Sequence, residues 1–244
     1  MFKIKLADLT IEIDNKHTYI EEQCAGYITD GDAYFRVSLS DEQIAAEADG
    51  ATESAGTDMS FHSGYLESLA VYRAIAEKLP EYDGFLLHSA VIDVDDRGIA
   101  FAARSGTGKT THIRLWRNLL GDKCAIINGD KPLIRFIEGK PYAYGTPWAG
   151  KEGYNINSRV QLLDICFLDR AEENSIAPIS AGESVKRLFC QIYMPKNPLK
   201  KVKTLELMDS LMKNVRVWKI GCNMDISAAE TVYNKIFEVR RNEG

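Results

Sequence analysis

The sequence has little cysteine, no long apolar run and no excess of basic charge. Its five cysteines lie far apart, with no C-x-x-C pair and no histidine at metal-ligand spacing beside any of them, which argues against disulfides and structural zinc. No stretch approaches the roughly 18 consecutive apolar residues of a membrane span, and the N-terminus lacks the apolar core of a signal peptide. We therefore expect a cytoplasmic protein with no membrane partner.

The charge balance excludes a second class of partner. Thirty Lys and Arg residues against 35 Asp and Glu residues give the 244-residue chain a formal net charge of −5, so no nucleic-acid partner is expected. Hydrophobic residues make up 45% of the chain and charged residues 27%, which is the composition of a globular protein and excludes disorder and fibrous repeats. Any polyanion must therefore be bound at a local site.

The polarity pattern of residues 1–80 predicts a small α+β portion. Polarity alternates in three short segments, which predicts strands over residues 3–6, 9–14 and 33–39. A first helix is expected over residues 41–47, within a connector that extends to residue 62. Apolar residues then recur at three- and four-residue steps from Ser63 and predict an amphipathic helix closed by Pro80. No catalytic motif is present, so this portion is assigned by elimination to contact with a substrate or another subunit.

The order of apolar segments in residues 81–244 predicts a larger domain in which strands and helices do not alternate regularly. An apolar strand over residues 84–94 and a second strand over 99–103 form a hairpin, and a helix over 109–120 follows. Further strands are expected over 125–128, 133–137, 142–145, 160–168 and 217–220, and further helices over 182–193, 205–215 and 226–239. This order predicts a mixed α/β fold.

The strongest motif lies between that hairpin and the helix after it. Residues 103–110 read ARSGTGKT, which fits the phosphate-loop pattern with alanine in the first glycine position. Gly106 and Gly108 allow the backbone N–H groups to turn toward an oxyanion, and Lys109 supplies a charge to the β and γ phosphates. Thr110 would offer its hydroxyl to Mg²⁺. The nucleotide-binding candidates in this segment are Ser105, Gly106, Thr107, Gly108, Lys109, Thr110 and Thr111.

ATP is the nucleotide that the sequence favours, because the guanine-selecting pattern Asn-Lys-x-Asp is absent. The alternative for the segment is a glycine-rich turn that merely begins a helix. The strand, loop and helix stand in the order that the phosphate-binding motif requires, which favours function.

An acid and a histidine accompany the loop. Phosphoryl transfer to a hydroxyl needs a carboxylate for the metal and a base for the hydroxyl proton, and Asp130 is the catalytic candidate because it ends a strand at the sheet edge where ligands bind. The alternative is a simple turn over residues 128–130. His88 lies in the preceding apolar strand, where it either faces Asp130 or is a buried structural histidine.

Cations downstream complete the set of candidates. Residues 144–151 read YGTPWAGK, a composition suited to closing over a substrate, with Lys151 as the contact to its charge. A packed turn with an exposed lysine is the alternative. Lys151 and Arg159 are counted among the nucleotide contacts, and Arg170 and Lys131 are further cations at the edge of the site.

These motifs resemble the kinase domain of HPr kinase/phosphorylase, in the SGTGKT run at 105–110, the hairpin with His88 and the strand ended by Asp130. The same run is similar to the loop of ATP-dependent phosphoenolpyruvate carboxykinase, whose nucleotide-binding core is related. Over nearly its whole length the chain is similar to short HPr-kinase-like proteins of Gram-positive bacteria. The segments that carry this similarity are LHS at 87–89, GTGKTTH at 106–112, NGDKP at 128–132, YGTPW at 144–148 and CNMD at 222–225.

The resemblance implies a P-loop core of the HPr-kinase and phosphoenolpyruvate-carboxykinase type with a small N-terminal α+β portion. It implies ATP, Mg²⁺ and phosphoryl transfer to a hydroxyl of a peptide, a protein or a small molecule, with Asp130 as base and His88 nearby. Thr110 and Asp130 are the expected metal contacts, and Lys109 is expected to stabilise the transferred charge. Self-association is possible. HPr kinase has two consecutive acids where this chain has Gly129 and Asp130.

Two alternatives to a kinase remain open at this stage. The missing second acid favours an ATP-binding, non-catalytic partner module of a peptide-modification or transport cassette. The shared loop alone would also suit a carboxykinase-type lyase, although the extra metal ligands of that enzyme are not recognisable in the sequence.

Overall fold

The computed structural model describes residues 1–48 and 62–243 and contains two β-sheets. The smaller sheet has the order β1 (Phe2–Leu6), β2 (Leu9–Asp14) and β3 (Phe35–Ser38). β1 and β2 are antiparallel and are joined by a tight turn in which Ala7 and Asp8 adopt φ of 49° and 59°. β3 pairs parallel to β2, so the chain crosses over between them through α1 (Tyr19–Gln23) and a 3₁₀ turn (Ala25–Tyr27).

Two further helices belong to this portion. α2 (Asp41–Ala45) is shorter than expected and begins at a capping box formed by Ser40 and Gln43. Most of the expected connector, residues 49–61, lies outside the described residues. α3 (Ser63–Lys78) confirms the amphipathic helix, which the 3₁₀ turn Leu79–Tyr82 ends. Its buried face joins the small sheet in one core, which also includes side chains from the second part of the chain, among them Leu133 and Trp148.

The larger sheet has nine strands and is mixed, which confirms the mixed α/β class. Seven strands follow the order β4 (Gly84–Leu86), β8 (Leu133–Ile137), β9 (Lys140–Tyr144), β10 (Arg159–Arg170), β6 (Arg97–Ala102), β5 (Ala90–Val94) and β7 (Cys124–Asn128). β12 (Arg216–Cys222) pairs parallel to the second half of β10, and β11 (Ser175–Pro178) pairs with β12.

The expectation of one strand over residues 84–94 is wrong. The segment forms two strands because β4 pairs with β8 whereas β5 pairs with β6 and β7, so the chain changes partners at residues 87–89. Both strands are almost wholly buried, and a buried strand carries no polarity alternation that would reveal the break. His88 therefore lies in a short connection rather than inside a strand.

Helices cover both faces of the large sheet. α4 (Lys109–Leu120) and α7 (Ile226–Glu243) pack on the face that presents Ile99 and Phe101. α5 (Ala181–Phe189) and α6 (Pro198–Asn214) pack on the opposite face, against Ala100 and Ala102. α5 ends earlier than expected, and α6 begins earlier because Asn197 caps it and proline occupies its first turn. None of the described helices is long and apolar enough to cross a membrane.

Strand direction determines where the site lies. β5 is antiparallel to β6 and to β7, so the start of β5 and the ends of β6 and β7 meet at one edge of the sheet. β10 runs parallel to β6, which brings its final residues to the same edge. The segments that follow or precede these strand ends are therefore neighbours in space, although they are far apart in the sequence.

Candidate active site

The phosphate loop connects β6 to α4. Gly106 and Gly108 adopt φ of 74° and 122°, a region that strongly favours glycine, and an added Cβ at either position would meet no atom within 4 Å. Backbone conformation, not space, therefore requires these glycines. Arg170 at the end of β10 donates hydrogen bonds to the carbonyls of Gly106 and Thr107, which ties the loop to the sheet edge.

Lys109 is the buried cation of the site, with 7% of its surface exposed. Its Nζ lies 3.0 Å from His88 Nε2 and donates to the carbonyl of Ala103 at 3.3 Å. Burial lowers the pKa of Lys109, and the charge of Asp130 opposes this effect. The ammonium group is thus held at the base of the loop, where a lysine in this motif reaches the β and γ phosphates.

Asp130 lies next to the histidine. Its Oδ1 is 3.2 Å from His88 Nε2, and the side chains of His88 and Asp130 are 31% and 26% exposed. Burial acts to raise the pKa of Asp130, but the hydrogen bond to His88 and the charges of His88, Lys131 and Lys109 prevail and lower it. The carboxylate is therefore ionised at neutral pH and able to accept a proton.

A single nitrogen of His88 faces both partners. Nε2 without a proton accepts from Lys109, whereas Nε2 with a proton donates to Asp130. The two contacts therefore correspond to different proton positions on one ring. Nε2 of His88 is thus the atom that links the cation of the site to its carboxylate.

A buried turn holds Asp130 in place. Asn128, which is fully buried, accepts hydrogen bonds at Oδ1 from the backbone N–H groups of Asp130 and Lys131, at 2.9 and 2.8 Å. Its Nδ2 donates to the hydroxyl and carbonyl oxygens of Thr146 at 3.0 Å. The turn that the sequence offered as an alternative to function is present, and the carboxylate at its end contacts His88 as well.

Space at residue 129 explains the single acid. A Cβ on Gly129 would lie 2.9 Å from the carbonyl oxygen of Ala149 and 3.4 Å from Tyr154, and its N–H donates to the carbonyl of Tyr154. A side chain does not fit there without movement of the loop at 149–154. The chain therefore has one carboxylate at a place where HPr kinase, by the resemblance, has two.

The comparisons with known proteins add little to this geometry. No protein-family model matches the chain, and no curated protein matches it. Among solved structures, the chain is similar to the Hpr(Ser) kinase/phosphatase from Coxiella burnetii, with 12% sequence identity and a TM-score of 0.38 over 65% of this chain and 94% of that one. A likeness of this size assigns no activity to the chain.

The structure brings some of the sequence candidates together and separates others. Lys109, His88 and Asp130 form one cluster, and Thr110 lies beside Lys109 in the first turn of α4. Arg159 lies at the start of β10, at the opposite end of that strand from the phosphate loop, and pairs with Asp8 in the turn between β1 and β2. The expectation that Arg159 contacts the nucleotide therefore has no support in this geometry.

The loop over residues 144–151 has a buried part, which packs in the core, and an exposed part next to Asp130. Thr146 is fully buried and Trp148 is 5% exposed, so this part of the loop is a packing element of the core. Lys151 is exposed on the turn that follows. A Cβ on Gly150 would lie 3.2 Å from Asp130 Cβ, so the residue before Lys151 packs directly against the acid.

Sequence reasoning missed the residues that support the acid. The sequence predicts Asn128 only as part of a turn and Thr146 only as part of a loop. An Asn two residues before a functional Asp is a recognisable signal, because Asn side chains accept hydrogen bonds from the backbone two and three residues later.

Proposed function

We propose that the chain is an ATP- and Mg²⁺-dependent phosphotransferase that transfers the γ-phosphoryl group to a hydroxyl acceptor. The observation that carries this proposal is the line of contacts from Lys109 Nζ through His88 Nε2 to Asp130 Oδ1, at 3.0 and 3.2 Å. A loop that only begins a helix does not require a buried cation next to an ionised carboxylate, and burial of charged groups costs free energy. Phosphoryl transfer needs both groups, one at the phosphates and one at the attacking hydroxyl.

The phosphates would bind at the loop and Lys109. The N–H groups around Gly106 and Gly108 and the N-terminus of α4 attract the oxyanions, and the ammonium of Lys109 leaves His88 to contact β and γ oxygens. Lys109 then stabilises the negative charge that spreads over the transferred group.

The proton of the acceptor would pass to Asp130. As the hydroxyl oxygen forms its bond to the γ phosphorus, the bond from that phosphorus to the β,γ-bridging oxygen breaks, and ADP keeps the electron pair. Asp130 accepts the hydroxyl proton, and an unprotonated Nε2 of His88, at 3.2 Å from the carboxylate, would take that proton from Asp130 and restore the ionised acid. The contact between Lys109 and His88 is free to break at this stage because the phosphates hold Lys109.

Thr110 and Asp130 are the oxygen donors that would hold Mg²⁺ together with phosphate oxygens. Mg²⁺ prefers oxygen ligands and often uses only one or two protein groups beside substrate phosphates, so this donor set fits. The ion supplies neutralisation of the phosphate charge. The described residues contain no group of three or more His, Cys, Asp or Glu placed to hold a metal without a nucleotide.

Two variants test the assignment. Titration calorimetry with ATP and Mg²⁺ should show binding by the wild type, loss of binding in Lys109→Ala, and weaker but measurable binding in Asp130→Asn, which loses one Mg²⁺ ligand and keeps the loop and Lys109. Label transfer from γ-labelled ATP to a panel of hydroxyl compounds and serine peptides should fall by about 10²–10⁴-fold in Asp130→Asn. Asp122→Asn, the same change at an exposed residue after α4, is the matched control. Transfer by Asp130→Asn at the wild-type rate would show that Asp130 is not the base.

The single acid favours one second candidate, a module that binds ATP without transferring phosphate. Gly129 leaves no room for a second carboxylate beside Asp130. For such a module, calorimetry would show ATP binding that depends on Lys109, and no acceptor in the panel would become labelled.

A further inference from the structure

A cavity of about 840 Å³ opens between the last residues of β10 and helix α5, and residues 103–107 of the phosphate loop form the wall on its third side. We propose that this cavity binds the phosphoryl acceptor, and that the acceptor is a small hydroxyl compound carrying a carboxylate or phosphate group. The inference rests on the proposed function, because it names the second substrate of the same site. The volume lies within the range of about 300–1,000 Å³ that is usual for small-molecule sites.

The cavity wall touches the catalytic cluster at two points. The carbonyl of Ala103, a wall residue, accepts the hydrogen bond from Lys109 Nζ at 3.3 Å. The carbonyl of Gln191, another wall residue, accepts from the backbone N–H of His88 at 2.8 Å. The lysine of such a loop reaches the β and γ phosphates, whereas the adenine ring lies at the opposite end of the nucleotide. The cavity therefore adjoins the group that is transferred.

Gln191 supplies a recognition group. Its Oε1 is buried and has no hydrogen-bond partner among the described residues. Buried amide oxygens are normally satisfied, so this atom has an unused capacity to accept a hydrogen bond. Because Oε1 itself has no exposed surface, a hydroxyl or amine on a ligand would reach it after the Gln191 side chain turns toward the cavity.

The charges of the wall indicate an anion. Four cationic side chains and two acidic ones line the cavity: Arg104, Arg170, Lys186, Arg187, Asp169 and Glu183. Both acids are already bound to Arg187, at distances of 2.9 to 3.1 Å. Within the described part of the chain, Arg104 and Lys186 have no carboxylate partner. Arg170 already donates to the loop carbonyls, and Arg104 belongs to the loop that would bind the phosphates. Lys186 is therefore the cation left for the acceptor.

A native reporter allows the cavity to be tested before the acceptor is known. Cys190 lines the cavity and is exposed, whereas Cys24, Cys124 and Cys166 are buried and Cys222 is partly buried. The rates at which iodoacetate and iodoacetamide alkylate Cys190 are measured by mass spectrometry of its peptide, with Cys190→Ser as the blank. The ratio of the two rates reports the local potential, because the thiolate fraction cancels from it.

The first comparison tests the charge. We expect Lys186→Glu to lower the ratio of iodoacetate to iodoacetamide rates about threefold at low salt. Lys201→Glu, the same change on an exposed residue of α6, should leave the ratio unchanged. An equal ratio in the wild type and Lys186→Glu would overturn the assignment of Lys186 as the cation of an anion site.

The second comparison separates an acceptor cavity from a nucleotide cavity. Saturation with Mg²⁺ and a non-hydrolysable ATP analogue should leave Cys190 open to iodoacetamide, with less than a twofold change in rate. Protection of Cys190 by the analogue would overturn the proposal and assign the cavity to the nucleotide. Failure of the analogue to bind at all would instead refute the proposed function, so the two failures are distinguishable.

The third comparison tests the substrate class. γ-Labelled ATP is offered with hydroxy acids, with their neutral amides and with serine peptides. Label in hydroxy acids but not in their amides, with a KM raised about tenfold in Lys186→Glu and the ATP affinity unchanged, supports the proposal. Label confined to the peptides would overturn it.

Discussion

Tyr72 stacks on Trp148, with ring centroids 4.0 Å apart and an angle of 7° between the ring planes. Tyr72 belongs to α3 of the N-terminal portion, and Trp148 belongs to the loop that buries the turn of Asp130. The Tyr72 hydroxyl donates to the carbonyl of Lys131, and Trp148 Nε1 donates to Ser68 of α3. The N-terminal portion thus supports the candidate active site directly, a role that its lack of motifs did not suggest.

Removal of the Tyr72 hydroxyl should make the turn that carries Asp130 more mobile, while the stacking of Tyr72 on Trp148 remains. We expect Tyr72→Phe to lower the free energy of unfolding by about 1 kcal/mol, because the carbonyl of Lys131 loses a buried donor. ATP affinity should stay the same, and the transfer rate should fall about two- to tenfold as the Asp130 turn gains freedom. Urea unfolding and label transfer measure the two effects. Tyr34→Phe at an exposed tyrosine is the control, and an unchanged stability in Tyr72→Phe would contradict the prediction.

Asn128 should be the most sensitive polar residue near the site. Asn128→Ala leaves the N–H groups of Asp130 and Lys131 without their buried acceptor, so we expect a loss of about 2–4 kcal/mol in unfolding free energy. Asn118→Ala on the exposed side of α4 makes the same substitution outside the network and should change stability by less than about 0.5 kcal/mol. Equal stabilities of the two variants in urea would show that the Asn128 contacts are weak.

Gly129 should tolerate no side chain. Its Cβ would press on the Ala149 carbonyl at 2.9 Å, so Gly129→Ala should cost about 1–3 kcal/mol. Gly182→Ala, in the first turn of α5, has no atom within 4 Å of the added Cβ and should be neutral or stabilising by about 0.5 kcal/mol. Thermal unfolding of both variants measures the difference. A Gly129→Ala protein as stable as the wild type would mean that the loop at 149–154 yields easily.

His112 should make the stability depend on pH. Burial lowers its pKa to about 4, and its Nε2 accepts a hydrogen bond from Trp116. The unfolded chain, with an ordinary pKa of about 6.5, binds this proton over a range in which the folded protein does not. Stability should therefore fall as the pH drops from about 6.5 to 4, by on the order of 3 kcal/mol from this residue.

His112→Gln tests that dependence, because glutamine keeps a hydrogen-bond acceptor near Trp116 and does not titrate. Urea unfolding at a series of pH values should show a flatter curve between pH 6.5 and 4 than in the wild type. The control is His17→Gln, at a partly exposed histidine of the N-terminal portion. A wild-type pH slope in His112→Gln would show that other groups cause the acid sensitivity.

Local sequence signals located much of the fold and the centre of the site. The apolar spacing of α3 and the glycines of the phosphate loop are encoded within a few residues, so their positions were readable. Short elements without a full period, such as α1 and β11, were not predicted. The break between β4 and β5 was missed because it depends on which strands pair, and pairing partners lie up to about 50 residues away.

The loop with the phosphate-binding pattern, the acid candidate and the mixed α/β class could all be predicted from the sequence, because each depends on local chemistry or periodicity. Three features became visible in the folded chain alone: His88 lies between Lys109 and Asp130, Arg159 lies away from the loop, and Trp148 is a core residue. These facts follow from strand order and register, which bring together residues from β5, β6 and β7 at one edge. Distances of a few ångströms between side chains at that edge depend on how the strands pair, and residues far apart in the sequence come together only when the sheet forms.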